Sequence, residues 1–439
     1  MCNSVAYNFN SCYTQNMENK IKIGLIGLGT VGTGVYKTLQ EFDNVEIVQI
    51  AVHNKNKKRN IPNLDENIIT DNAYEVVNNP EIQIVAELIG GTEPAFDLIK
   101  TAIANGKHVV TANKELLAKH GEELFNFAEE HNKVVLYEAA IAGGIPLIMP
   151  IKTILAGNKI NKIKAILNGT TNYILTKMDV QQASYNDVLV EAQDLGYAET
   201  NPTGDVEGFD AAYKITTLAT IAFNKRVKLE NVYREGITKI RPQDMKAANE
   251  MGYKIKLIAS AELNKNGEAD VRVHPMLVPK TKTLAHIDYV TNAVTLTGHP
   301  VGEVTLSGPG AGEFPTASSV VGDILAIVSE LGRTDYLLPM MRCRHSENAK
   351  MVDISETENK YYLSITANNS MGVIGKIGKA CEDNNISLAS IVQKEVKDGS
   401  ADITVITELC KEKDMQKVIE IFNSDNSLMK VNNLIRVQV

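Results

Sequence analysis

Cysteine is scarce in this chain and spaced for neither disulfides nor metal. Five occur in 439 residues (Cys2, Cys12, Cys343, Cys381 and Cys410), with none between positions 12 and 343. An odd number without paired metal spacing indicates neither a disulfide frame nor a zinc site, and fits a reducing, cytoplasmic setting. Positive charge is also short: 45 Lys and Arg stand against 53 Asp and Glu, a net charge of −8. Nucleic acid is therefore not an expected partner, since phosphate contacts need a basic face. No uncharged apolar run approaches the roughly 18 residues that a membrane span needs. Residues 1–16 lack the basic start and apolar centre of a signal peptide and are expected to be a disordered extension.

What is present is ordinary for a globular protein: 44% hydrophobic and 22% charged residues, in a length that suits about two or three domains. KIKIGLIG (Lys20–Gly27) reads as a buried strand, and a helical stretch over Val31–Phe42 follows a glycine turn. Strands at Val45–Val52, Ile84–Ile89, His108–Thr111 and Val134–Glu138 alternate with helices at Ala95–Asn105 and Leu116–Glu130. Such alternation predicts a Rossmann-type parallel sheet covered on both faces. This α/β domain is placed at 17–145, with residues 308–340, including a helix Ala317–Leu331, packing back on it. Residues 146–307 mix amphipathic helices (Ala183–Asp194, Asp210–Phe223, Gln243–Met251) with strands (Tyr253–Glu262, Ala269–Pro275, Ala293–Gly298) and predict a mixed α/β substrate and dimerisation domain. A polar linker at 341–360 leads to 361–439, whose βαββαβ order is ferredoxin-like.

Gly27-Leu28-Gly29-Thr30-Val31-Gly32 is a GxGxxG between strand and helix. The first glycine makes the turn, the second admits a pyrophosphate, the third allows helix–strand contact, and the helix N-terminus faces the phosphates. The second strand ends in Val52-His53-Asn54-Lys55-Asn56-Lys57-Lys58-Arg59. An acid there would bond the ribose of NAD; the four basic residues instead favour NADP, with NAD possible. Further on, Glu191–Lys214 gathers Glu199, Glu207, Asp210 and Lys214 before an apolar helical run. Asp210 and Lys214, four apart, share a helix face, with Glu207 expected one turn earlier on it. A lysine among carboxylates is a surface ion pair in the plainest reading, or a proton carrier beside a substrate.

TANK (Thr111–Lys114), YEAAIAGGIP (Tyr137–Pro146), LNGTTNYIL (Leu167–Leu175), the Glu191–Lys214 stretch and GPGAGEFPTAS (Gly308–Ser318) follow GLGTVG in this order. The chain closely resembles bacterial homoserine dehydrogenases of the long form, which carry a C-terminal ACT domain. The resemblance implies reversible NAD(P)-dependent interconversion of L-homoserine and L-aspartate 4-semialdehyde, on the route to threonine, methionine and isoleucine, in a homodimer or homotetramer. It implies that Lys114 and Lys214 are the active-site lysines and Asp210 a proton-relay carboxylate. Gly196, Glu199, Asp210 and Lys214 would bind substrate. Gly27, Gly29, Thr30, Val31, Gly32, Asn54, Lys114 and Gly312 would contact the cofactor. Glu138, Ile141, Gly143 and Ile145 would hold a monovalent cation, sodium in the family, partly through backbone carbonyls; from sequence alone that stretch reads equally as a hinge. An ACT domain implies an amino-acid effector, with threonine the natural hypothesis. Here Asn369 and Met371 depart from the usual acid-x-Pro-Gly loop while Gly372 is kept.

Residue chemistry gives these groups work. Hydride passes to or from a nicotinamide, and the protein must handle the proton. Lys214 is assigned as proton donor to the aldehyde, Lys114 as the group orienting substrate and nicotinamide, Glu199 as partner of the substrate's amino group or hydroxyl, and Asp210 as the carboxylate that positions Lys214. Aspartate-semialdehyde dehydrogenase is a rival that fails on chemistry, because its thioester needs a cysteine that the middle of this chain lacks. A non-catalytic NAD(P) and amino-acid sensor is the alternative of a different class.

Overall fold

The structure, a computed structural model, describes residues 20–331, 343, 345, 347–368, 370–395, 399–424 and 429–438. The expected extension at 1–16 and loop residue Asn369 lie outside them, as does most of the N-terminal part of the expected linker. The chain divides into two compact units. The first comprises residues 1–158, 220–226 and 308–347, and the second residues 159–219, 227–307 and 348–439.

Among the described residues the first unit holds a six-stranded sheet: β1 (Ile21–Ile26), β2 (Val45–Ala51), β3 (Ile69–Thr70), β4 (Ile84–Glu87), β5 (His108–Thr111) and β6 (Val135–Leu136). Their order is β3-β2-β1-β4-β5-β6 and every pairing is parallel. This is the dinucleotide-binding arrangement, with its crevice where the order reverses beside β1. Residues of β4 and β5 are buried throughout, as helices on both faces require. The first helix is Thr30–Leu39, starting one residue sooner and ending three sooner than the pattern suggested.

The returning helix is Glu313–Glu330, four residues longer at its start than expected. Pro315 stands in its first turn, where a missing N–H costs nothing. The helix does pack on the first unit: Ala317, Val320, Ile324 and Ile327 share a core with Val35, Tyr36 and Leu39. Lys37 and Glu313 form an ion pair at 2.8 Å across that contact.

The second unit is built on one long mixed sheet. Its strands are β7 (Lys159–Ile166), β8 (Tyr233–Arg234), β9 (Tyr253–Leu263), β10 (Ala269–Pro279), β11 (Thr291–His299), β12 (Gly302–Pro309), β13 (Glu358–Asn368), β14 (Leu388–Glu395), β15 (Ser400–Thr407), β16 (Cys410–Lys411) and β17 (Met429–Val437). The path runs β12-β11-β7-β9-β10-β17-β13-β15-β14, with β8 beside β10 and β16 beside β13. The C-terminal βαββαβ order is present, its helices being Val373–Asp383 and Glu412–Ser424. Its core gathers Tyr361, Leu363, Ile365, Ile377, Val405 and Phe422. Its sheet does not stop at its own edge, because β17 pairs in parallel with β10 through Met276↔Arg436 and Leu277↔Val437. The described end of the expected linker is pinned too: Ala269 donates to Lys350 O at 2.7 Å and Val352 donates to Ala269 O at 2.9 Å.

Candidate active site

In the first unit the glycine turn is a cradle made of main chain. Gly27 has φ +106°, and a Cβ there would lie 2.9 Å from Leu88 O. A Cβ on Gly32 would sit 2.2 Å from Gly27 O, so the third glycine lets the helix close onto the turn. A Cβ on Gly29 would meet nothing within 4 Å. Thr30, Val31 and Gly32 form the first helical turn, whose amides have no acceptor inside the helix and suit an anion. These features fit a pyrophosphate.

The basic loop after β2 is organised by its own arginine. Arg59 donates to Asn54 O and Lys57 O, each at 2.8 Å, and Asn54 Oδ1 accepts from Asn56 N at 2.9 Å. A cavity of about 200 Å³ lies among Lys55, Asn56, Lys57, Arg59, Leu64 and Glu66.

At the C-terminal ends of β4 and β5 the loops are tied by a carboxyl group that sequence reasoning passed over. Glu87 is fully buried. It accepts from Thr111 Oγ1 at 2.5 Å and Ile89 N at 2.9 Å. Burial pushes its pKa up to about 7, against the opposing pull of those hydrogen bonds. Asn113 caps the next helix through Leu116 N (3.1 Å) and donates to Gly91 O (2.6 Å). Lys114 is the first residue of that helix, Lys114–Glu130, and is partly buried. It therefore stands at the edge of the sheet where such folds bind ligands.

The Ala- and Gly-rich turn after β6 is a short helix, Ala139–Ala142, ended by Gly143 at φ +58°. The Glu138 carboxylate accepts from Leu147 N (2.5 Å), Ile148 N (2.8 Å) and Met149 N (2.7 Å). It is thus engaged as a cap on the helix that follows. A Cβ on Gly143 would lie 2.4 Å from Gly310 O, and Ser319 Oγ donates to Gly143 O at 2.6 Å. The turn carrying Ile141, Gly143 and Ile145 is therefore packed on the GPGAG segment, where Gly312 (φ +121°) precedes helix Glu313–Glu330.

In the second unit the lysine–carboxylate pair is an enclosed device. Helix Phe209–Phe223 carries Asp210 and Lys214, whose side chains are 8% and 9% exposed and 2.8 Å apart. This is a direct contact, and its burial removes the surface ion-pair reading. Lys214 Nζ also donates to Leu167 O at 2.8 Å. Asn168 Nδ2 donates to Asp210 Oδ2 (2.9 Å) and Asp205 Oδ1 (2.7 Å), while Asn168 Oδ1 caps helix Gly169–Gln181 through Thr171 N (2.8 Å). Asn168 and Asp205 had no reading of their own in the sequence; an Asn ahead of Gly-Thr-Thr was the available signal, a helix cap.

Glu207 is not on the shared helix face. It caps the short helix Thr203–Val206, and Gly208 at φ +80° breaks the chain before Phe209. Glu199 is exposed, and its carbonyl accepts from Gln193 Nε2 at 3.0 Å. Gly196 (φ +75°) follows helix Tyr185–Asp194 on an exposed turn. Among the described residues there is no cluster of three His, Cys, Asp or Glu side chains able to hold a metal.

Comparison with known proteins places the chain. Residues 27–138 match the NAD-binding domain of homoserine dehydrogenase, residues 146–325 match homoserine dehydrogenase itself, and residues 361–425 match the ACT domain. The homoserine dehydrogenase of Synechocystis is 40% identical over 430 residues, covering 95% of this chain and 99% of that protein. The crystal structure of a homoserine dehydrogenase from Thiobacillus denitrificans superposes with a TM-score of 0.89 at 38% identity, covering 96% of this chain and 98% of the other. A hyperthermophilic archaeal homoserine dehydrogenase solved with NADPH gives 0.61 at 28% identity, over 71% and 98% of the two chains. The chain belongs to the homoserine dehydrogenase family, as an NAD(P)-dependent oxidoreductase with a C-terminal ACT domain.

Proposed function

We propose that, as a member of this family, the chain interconverts L-homoserine and L-aspartate 4-semialdehyde, with NADP(H) as preferred cofactor and Lys214 as proton carrier. The observation that carries the assignment of Lys214 is its enclosed contact with Asp210, held by Leu167 O and Asn168. Most i,i+4 ion pairs lie on helix surfaces; enclosing one costs desolvation, so an enclosed pair calls for a purpose beyond stability.

When bound, the nicotinamide supplies the hydride acceptor or donor. In the reducing direction Lys214 donates a proton to the aldehyde oxygen as the alcohol forms, and in the oxidising direction it takes that proton back. Asp210 fixes the Lys214 ammonium, and Asn168 fixes Asp210. Lys114, at a helix start in the first unit, orients the substrate. Glu199, on its open turn, meets the substrate's amino group. The glycine cradle from Gly27 to Gly32 holds the pyrophosphate, and the Lys55–Arg59 loop with its cavity suits a 2′-phosphate. A monovalent cation, sodium by resemblance, would be held in part by main-chain oxygens of Glu138, Ile141, Gly143 and Ile145, where it would brace the turn against the 308–312 segment.

Purified Lys214→Ala should lose turnover by about a thousandfold and keep NADPH binding, read by fluorescence titration. Glu199→Ala should mainly raise KM for homoserine. Normal turnover in Lys214→Ala would remove that lysine from the chemistry.

A further inference from the structure

The most voluminous side chain buried in the described residues is an arginine that the reaction does not use. Arg436, 1% exposed, lies on β17 where the C-terminal sheet joins β10. Its Nε and Nη2 donate to the Glu412 carboxylate at 2.9 and 2.7 Å, so the guanidinium grips the first residue of helix Glu412–Ser424 with both prongs. Tyr361 OH donates to the same carboxylate at 2.6 Å. On its other side Arg436 Nη1 donates to Glu235 Oε1 at 3.0 Å and Nη2 to Tyr233 OH at 3.3 Å.

Tyr233 and Glu235 belong to a short strip, residues 233–237, that leads to the Lys214 helix. Arg234 lies 3.5 Å over the Phe209 ring and donates to Glu207 O at 2.6 Å. Ile237 N donates to Val206 O at 2.9 Å. Gly236 is pressed so closely on this turn that a Cβ would lie 2.4 Å from Val206 O and 2.7 Å from Glu207 Cα. Every one of these contacts falls on Val206–Phe209, the residues that set where helix Phe209–Phe223 begins and hence where Asp210 and Lys214 stand. Fixed positioning of this kind is worth much in rate, since small displacements of a reacting group are costly.

We infer that Arg436 is the pivot of a positioning relay, in which the ACT domain, through Glu412 and Arg436, holds Glu235 and the 233–237 strip, and the strip sets the Lys214 helix. This rests on the reading of Lys214 as proton carrier. Arg436, Glu235 and Arg234 are positioning residues; none is placed on substrate or cofactor. Lysine in place of Arg436 keeps the charge but lacks the planar fork that grips two carboxylates at once.

The test uses the full-length enzyme in NADP-linked oxidation of homoserine. Glu235→Gln, Arg436→Lys and the double variant are compared for kcat, KM for each substrate and thermal midpoint, with Lys214→Ala alongside. Each single variant should lose kcat by about tenfold to a hundredfold with KM for NADP⁺ within about twofold. The double variant should be no worse than the poorer single, because both act through one contact. Should Arg436→Lys not fold, Glu235→Gln, whose side chain is 37% exposed, carries the test. Unchanged kcat per folded molecule with only a lower thermal midpoint overturns the relay, and so do losses that multiply in the double variant. If Lys214→Ala is inactive while the other variants turn over normally, the relay alone fails. If Lys214→Ala is active, the proton-carrier reading fails and the relay falls with it.

Discussion

On the proposed reading, the first unit meets the pyrophosphate mainly with backbone, whereas the second offers the reaction enclosed side chains. At Gly27, Gly29 and Gly32 the feature suited to a pyrophosphate is a missing Cβ, and around Gly143 the main chain is turned and pressed on Gly310. At Lys214 it is an ammonium held by Asp210 and Leu167 O, with Asn168 tying Asp210 to a helix cap. A cofactor common to many enzymes can be bound by groups every residue possesses. A single reaction needs titratable groups held in fixed places, and those must come from side chains. Apart from Lys114, deleting a side chain should therefore cost far less in the first unit than removal of Lys214 costs in the second.

Three experiments press on that contrast, in descending order of effect. Lys57→Ala, in the exposed basic loop, should raise KM for NADP⁺ by about tenfold, the value of one charge-assisted hydrogen bond. It should leave kcat and the KM for NAD⁺ nearly unchanged. Equal loss with both cofactors would deny the loop any part in reading a 2′-phosphate. Exchange of sodium for a bulky quaternary ammonium ion should lower activity by up to about tenfold, the lower end of what the surroundings of a metal contribute. Indifference to the cation would empty the proposed carbonyl site.

The third experiment leaves catalysis nearly untouched and reads stability alone. The folded pKa of Glu87 is about 7, above its ordinary value of 4.5. Between those values the folded chain binds a proton that the unfolded chain releases. Stability is therefore fully present below about pH 4.5 and is lost as pH rises towards 7, by an amount on the order of 3 kcal/mol. Glu87→Gln should flatten that fall in thermal midpoints measured from about pH 5 to 8, with kcat little changed. A fall of undiminished slope would show that Glu87 titrates normally.

The difference between the units also explains what could be read from residues alone. The glycine spacing lies within six consecutive residues, and the Asp210–Lys214 pair within one helix turn, so local pattern sufficed for both. Asn168 and Asp205 are joined to Asp210 only through contacts between separate segments, which no local pattern carries. Glu87 was hidden because the expected strand ran on to Ile89, so Glu87 read as one of its residues, whereas the observed strand ends at it. Glu207 was misplaced because the helix was extended back through Gly208, whose φ of +80° forbids it. The ACT-type order was plain in the alternation of strands and helices, but the parallel pairing of β17 with β10 depends on strands far apart in sequence.

That pairing bears on any attempt to strip the ACT domain from the enzyme. Cutting before Tyr361 would withdraw β17 and leave the Met276–Leu277 edge of β10 without its neighbour, and Glu235 without Arg436. An uncovered strand edge recruits other chains. A shortened protein of this kind would be prone to self-association, and any slowing of its catalysis would say as much about a raw border as about a lost domain.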